Sequence, residues 1–258
     1  TPLYSSAASD VYKRQMYENT KVACIYNLED KTTETLVEAA DVKEGARAVG
    51  FGLGTPARSN LGYVEDLLVD RAFLEERADK ALEIASFEDL ESFGVLTPHL
   101  LSNIAAATAL ARSYGIPPAA CRKALREFTI SPHRIQLVAK IAGVRYVNDS
   151  KATNAHAAAA SLTSFESVVW ILGGLLKGVD ISELIGQFAS RLRGAVVIGL
   201  ERAEIVDAFA KLAPDVPLKE VSEGGLVMDS AVHLASSMAQ PGDVVLLCLL
   251  YTSDAADE

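Results

Sequence analysis

The stretch Val144-Arg145-Tyr146-Val147-Asn148-Asp149-Ser150-Lys151-Ala152-Thr153-Asn154 decides how this chain folds. Its first five residues predict a strand over 144–148, and the Ala-rich run that follows predicts a helix over 154–162. A strand that passes through a polar turn straight into a helix is the building unit of an α/β sheet. Such a turn gathers side chains at a helix N-terminus, where free N–H groups and the helix dipole favour an anionic ligand. Lys151 would add a positive charge there, Asp149 an acceptor for a hydroxyl or a metal-bound water, and Thr153 or Asn154 a cap. The same residues also suit simple capping, with Lys151 in solvent.

Outward from this corner, the alternation of strand and helix continues. Toward the C-terminus the sequence predicts strands at 168–172, 195–199, near Leu218 and at 244–247, separated by helices at 181–188, 203–212 and 225–238. A further strand is predicted at 135–140. Residues 131–247 therefore read as a mostly parallel sheet covered on both faces, with its ligand crevice at the carboxyl ends of the strands. Ser131-Pro132 breaks the pattern and marks the domain boundary.

Upstream, residues 16–130 predict strands at 21–26, 46–51 and within 62–69, helices at 31–40 and near 99–114, and a last helix from Pro117 to Phe128. Gly50-Phe51-Gly52-Leu53-Gly54 follows a strand as a dinucleotide fingerprint would. Pro56 and the missing helical period after it predict a loop or hairpin instead. Glu65, Asp66, Asp70, Glu75 and Glu76 fall in a charged stretch that reads as solvated surface.

Composition narrows the function classes. Of 258 residues half are apolar, and the net charge of −10 is spread with no Lys/Arg block, so nothing offers a nucleic acid its phosphate-neutralising stripe. No apolar run approaches the roughly eighteen residues of a membrane span. Cys24, Cys121 and Cys248 stand far apart without metal-ligand spacing, which fits structural thiols in a reducing, cytoplasmic setting. His156 and His233, on helices without partners at ligand spacing, read as structural, and no metal ligand is assigned.

Both ends look foreign. One codon choice for Ser5–Gln15, reverse-complemented and read in a shifted frame, encodes Cys248–Asp257, and the first segment resembles a translated sequencing adapter. Residues 1–15 and 248–258 are accordingly expected to be non-native tails.

Three motifs together carry a family resemblance: Pro132-His133-Arg134 ahead of the strand pair, Asp149-Ser150-Lys151-Ala152-Thr153-Asn154, and Trp170-Ile-Leu-Gly-Gly followed by Lys177-Gly178. They resemble the D-glutamate-adding members of the Mur ligase family, whose sister ligases usually carry a tyrosine-containing motif in place of Lys151-Ala152-Thr153. The resemblance covers essentially Met16–Leu247. It implies an α/β fold with a C-terminal Rossmann-like domain at 131–247, preceded at 16–130 by the C-terminal part of the family's central ATPase domain. It further implies a monomeric enzyme that uses ATP and Mg²⁺ to activate a carboxylate of UDP-N-acetylmuramoyl-L-alanine as an acyl phosphate, to which D-glutamate is joined.

By the same resemblance Asn103 meets the adenine, although Leu100 stands where the family usually has an asparagine. Asp149 meets the ribose region and Arg134 the nucleotide phosphates, to which its planar fork is suited. His133 and Lys151 sit near the transferring phosphoryl group, and Thr153 and Lys177 hold the carboxylates of D-glutamate. Plainer roles compete: Asn103 bonded to a neighbouring turn, His133 and Arg134 as an interdomain pair, Lys177 solvated in its loop. The chain contains no G-x-x-x-x-G-K-S/T phosphate loop. The resemblance thus implies a fragment that is inactive alone, whose first unit is the less stable because part of its sheet is missing. A noncatalytic binding module and a folate-extending glutamate ligase are the alternatives.

Overall fold

In a computed structural model that describes residues 15–174, 181–200, 202–221 and 226–249, the strands fall into two sheets. Each sheet belongs to one of two compact units, Thr1–Thr129 and Ile130–Glu258. Among the described residues no helix is long and apolar enough to cross a membrane.

The first unit orders β1 (Ala23–Asn27), β2 (Arg47–Phe51), β3 (Asn60–Val64), β4 (Leu67–Asp70) and β5 (Leu82–Ser86) across its sheet in sequence order. β1, β2 and β3 run parallel, and β4 and β5 continue antiparallel. Helix α1 (Lys31–Glu38) joins β1 to β2 and starts where the Asp30 carboxylate accepts the Thr32 N–H at 2.9 Å. Helix α2 (Pro98–Ser113) packs on β1, β2 and β3, closing a core of Val49, Leu61, Ala72 and Ala109. Helix α3 (Pro118–Glu127) packs against β5.

The glycine segment forms a loop and not a hairpin, because β2 and β3 are parallel. It folds back over β3, where the Tyr63 N–H donates to Gly54 O at 3.1 Å. A Cβ at Gly62 would lie 2.2 Å from that oxygen, so the close approach requires glycine. Two readings of this unit are corrected. β5 was not foreseen, since Leu82–Ser86 buries the adjacent Ile84 and Ala85 and shows no period of two. Asp70, assigned to solvated surface, is fully buried and paired with Arg112, 42 positions away.

The second unit begins with a hairpin of β6 (Gln136–Ile141) and β7 (Val144–Asn148), whose Ala142 and Gly143 both take positive φ, 49° and 80°, as a two-residue turn of this hand requires. The chain continues through α4 (Ala155–Thr163), β8 (Val168–Gly173), α5 (Ser182–Phe188), β9 (Leu192–Ile198), α6 (Arg202–Leu212), β10 (Leu218–Glu220), α7 (Val227–Met238) and β11 (Val244–Leu247). Sheet order is β10-β9-β8-β11-β7-β6, with only the edge strand β6 antiparallel.

From β7 the chain steps through β8 and β9 to β10 in one direction, then returns to insert β11. Right-handed crossovers in opposite directions place their helices on opposite faces, so α7 covers one face and α4, α5 and α6 the other. On the α7 side Ala231 and Ala235 pack with Val169, Ile171, Val196, Ile198 and Val245. All six residues of β8 are buried, as a central parallel strand covered on both sides must be. Trp170, of opposite pleat to Val169 and Ile171, is fully buried and donates its indole N–H to Cys248 O at 3.2 Å. Cys248 itself is buried, and its N–H donates to Ile171 O at 3.1 Å.

Candidate functional site

β7 delivers the polar run to the carboxyl edge of the sheet, and α4 carries it away. Asn154 caps the helix: its side chain accepts the Ala157 N–H at 2.9 Å. Capping therefore falls to Asn154 and leaves Thr153, half-buried, one residue ahead of the cap.

Asp149 sits inside the corner rather than on it. Its side chain is 5% exposed, and one carboxylate oxygen accepts the Ile135 N–H at 3.1 Å. The other accepts the hydroxyl of Ser161, itself buried two turns into α4. Charge-assisted bonds of this kind are the stronger class of hydrogen bond. They join three separated pieces of chain: the approach to β6, the turn, and the helix. Burial and the nearby Asp149 charge push the Cys248 thiol well up from its ordinary value, which keeps that cysteine protonated and inert.

Around this clamp lie three nitrogen-bearing side chains. Lys151, Arg134 and His133 are all exposed. The backbone brings them together, since the Lys151 N–H donates to His133 O at 3.1 Å. The His133 N–H in turn donates to the Gln136 side chain at 3.0 Å, and Asn148 bonds the His133 ring at 2.8 Å. His133 and Ile135 hold left-handed φ of 68° and 43°. For a β-branched residue such as Ile135 that is a true outlier, and strain of this type costs about 1–3 kcal/mol and persists only where the surroundings fix it. The surroundings here are the Asp149 carboxylate and the Lys151 amide.

Farther along the carboxyl edge, β8 ends at Gly173 with φ 146°, where a Cβ would fall 1.9 Å from Ile198 O. Only glycine lets β8 and β9 end side by side there. Lys177, expected on the turn beyond, lies outside the described residues. Asn103 belongs to the first unit, exposed on the second turn of α2. Among the described residues no three His, Cys, Asp or Glu side chains form a group able to hold a metal ion.

The structure brings together His133, Arg134, Asp149, Lys151 and Thr153, all from one strand-to-helix corner and the segment that pins it. Gln136 and Ser161 escaped the sequence as contributors, and Asn148 was given no role there. Asn148 adjoins the motif and was visible in it. Ser161 gave only the weak signal of one hydroxyl on an otherwise apolar helix face.

Residues 133–248 match the family model described as Mur ligase, glutamate ligase domain. The chain is 52% identical over 236 residues to a UDP-N-acetylmuramoylalanine–D-glutamate ligase of Streptomyces coelicolor, a match that covers 91% of this chain and 50% of that protein. Residues 133–248 therefore belong to the Mur ligase family. A protein of the same name from Leifsonia xyli is 49% identical over 237 residues, covering 91% of this chain and 46% of its own length. The chain thus spans about half the length of the curated relatives it matches. Solved structures agree on the fold. A MurF crystal structure from Acinetobacter baumannii superposes with TM-score 0.56 at 17% identity, covering 89% of this chain and 49% of that one. A folylpolyglutamate synthase of Mycobacterium tuberculosis superposes with TM-score 0.59 at 14% identity, covering 94% and 56%. At such identities these two speak for the Mur ligase architecture alone. The family match, residues 133–248, falls within the second unit, and the corner described above lies inside it.

Proposed function

We propose that this chain is the part of an ATP-dependent ligase that receives D-glutamate and the nucleotide phosphates, in an enzyme that joins D-glutamate to UDP-N-acetylmuramoyl-L-alanine. The observation that carries the reading is the exposed corner ahead of α4, where the cations Lys151 and Arg134 and the ring of His133 are gathered around a buried Asp149. The names of the relatives at 49% and 52% identity favour UDP-N-acetylmuramoyl-L-alanine over a folate as the substrate whose carboxylate is activated. A noncatalytic binding module remains the second reading, and it would use the same corner.

The donor set suits ATP. Phosphate oxygens ask for fixed cations and N–H donors at a helix N-terminus, and Arg134, Lys151 and His133 supply them. ATP, when bound, supplies the phosphoryl group that turns a carboxylate into an electrophile. In this reading Arg134 grips phosphate oxygens, Lys151 neutralises charge as it develops on the transferring group, and Thr153 with Lys177 orients the D-glutamate carboxylates. Asp149, buried as it is, serves the ribose region by fixing the corner more than by reaching out of it. The described residues offer no set of ligands for Mg²⁺, so no residue of this chain is assigned to the ion and no step is derived through it. Because the sequence has no phosphate loop, the proposal includes that the chain does not turn over by itself. A monomer in the cytoplasm completes the reading.

The test is calorimetric titration of the chain with ATP and, separately, with D-glutamate. Losing one charge-assisted contact of roughly 1.5–3 kcal/mol weakens binding by about tenfold or more. Arg134→Ala and Lys151→Ala should lose that much toward ATP, and Lys177→Ala toward D-glutamate. Native affinity in all three variants would remove the corner from the ligand site.

A further inference from the structure

We propose that Asn148 is a positioning residue that sets the tautomer of His133, so that the imidazole offers an Nε2–H donor and no free lone pair to the anion at the corner. Only the mention of the anion rests on the function proposed above; the tautomer follows from hydrogen bonding alone.

Asn148 ends β7 and its Oδ1 accepts the Ser150 N–H at 3.0 Å. That bond fixes which end of the amide is which, because the flipped amide would set its NH₂ against the Ser150 N–H, donor against donor. The Asn148 Nδ2 then faces His133 Nδ1 at 2.8 Å. An amide NH₂ can only donate, so Nδ1 must accept, and a neutral imidazole whose Nδ1 accepts carries its proton on Nε2. The His133 backbone is held by the Lys151 N–H, by the Gln136 side chain and in a left-handed φ of 68°, which keeps the residue beside Asn148.

The chemical consequence is specific. With Nδ1 engaged, the remaining polar group of this exposed ring is a neutral N–H, set beside the cations of Lys151 and Arg134. Such a group donates to phosphate or carboxylate oxygens and cannot serve as a general base. His133 is thereby a donor for an oxyanion, and Asn148 the residue that makes it one.

The experiment is long-range ¹⁵N–¹H correlation of the full chain, uniformly labelled with ¹⁵N, above the pH range in which imidazole titrates. His133→Gln identifies the resonances. The native chain is expected to give an acceptor-type Nδ1 and a protonated Nε2 at His133, with a correlation across the hydrogen bond from Asn148 Nδ2. Asn148→Asp keeps an oxygen for the Ser150 N–H and replaces the donor by a second acceptor, so it should move the His133 proton to Nδ1. Unaltered His156 and His233 signals would attest the fold of that variant. A native His133 protonated on Nδ1 overturns the proposal with no variant needed, and so does an Asn148→Asp chain that keeps the native pattern. If His133→Gln binds inorganic phosphate as the native chain does while the tautomer pattern holds, the anion reading fails and the role of Asn148 stands.

Discussion

Two buried aspartates, one in each unit, anchor strand ends and lead to opposite outcomes. Asp70 closes β4: one oxygen accepts the Ala72 and Phe73 N–H groups at 2.7 and 2.9 Å, and the other accepts Arg112 Nε at 2.8 Å. Arg112 is 8% exposed and both its terminal nitrogens donate to backbone, to Ile116 O and Phe73 O, so the guanidinium is held inside the core. Asp149 follows β7 and binds Ile135 and Ser161, while Lys151 and Arg134 stay exposed around it. A buried carboxylate therefore does not mark a site.

The comparison can be broken at its strongest point first. Arg112→Met leaves Asp70 buried without its ion partner, and breaking a buried pair in this way costs about 3–5 kcal/mol. Urea unfolding of the first unit should register that loss, and a change under about 1 kcal/mol would mean that Asp70 is not held by Arg112. Ser161→Ala should cost less, about 1–3 kcal/mol for a buried acceptor deprived of a donor. Its signature is local: hydrogen exchange at the Ile135 amide should quicken, and unchanged protection there would dissolve the proposed clamp.

The smallest effect is a pH dependence shared by both units. Asp89 and Asp243 each have a depressed carboxyl pKa. Burial opposes the depression at both sites. It is outweighed at Asp89 by the Ser86 N–H and Arg126, and at Asp243 by Ser167, the Gln240 N–H and Arg193. A carboxylate whose folded pKa lies below its unfolded value of about 3.9 stabilises fully above that value and loses the contribution as pH falls through the folded one. Acid titration of Asp243→Asn should give a shallower loss of stability in the second unit than in the native chain below about pH 4. Identical acid profiles would show that the Arg193 pair adds nothing.

Legibility differed between the units for a physical reason. In the second unit each strand and helix announces itself locally: Val168–Gly173 is apolar throughout, Asn154 caps α4, and Gly173 and Asn148 stand at strand ends. The order of elements came out as read, with β9 starting at Leu192, earlier than its apolar run suggested. In the first unit β5 has no periodic signature, and its place comes from antiparallel pairing with β4 and packing by α3.

The sequence by itself determined the α/β class, the strand-to-helix corner at Asn148–Asn154 and the kinship carried by its motifs, because turn chemistry and periodicity act over a few residues. Only the tertiary structure decided that Asp70 is core and that Asp149 is a clamp. It alone brought the loop at His133 onto the Lys151 amide, and found Ser161 and Asn148 their partners. Those outcomes depend on groups 12 to 42 positions apart meeting in space, and no local pattern encodes which pairs will meet.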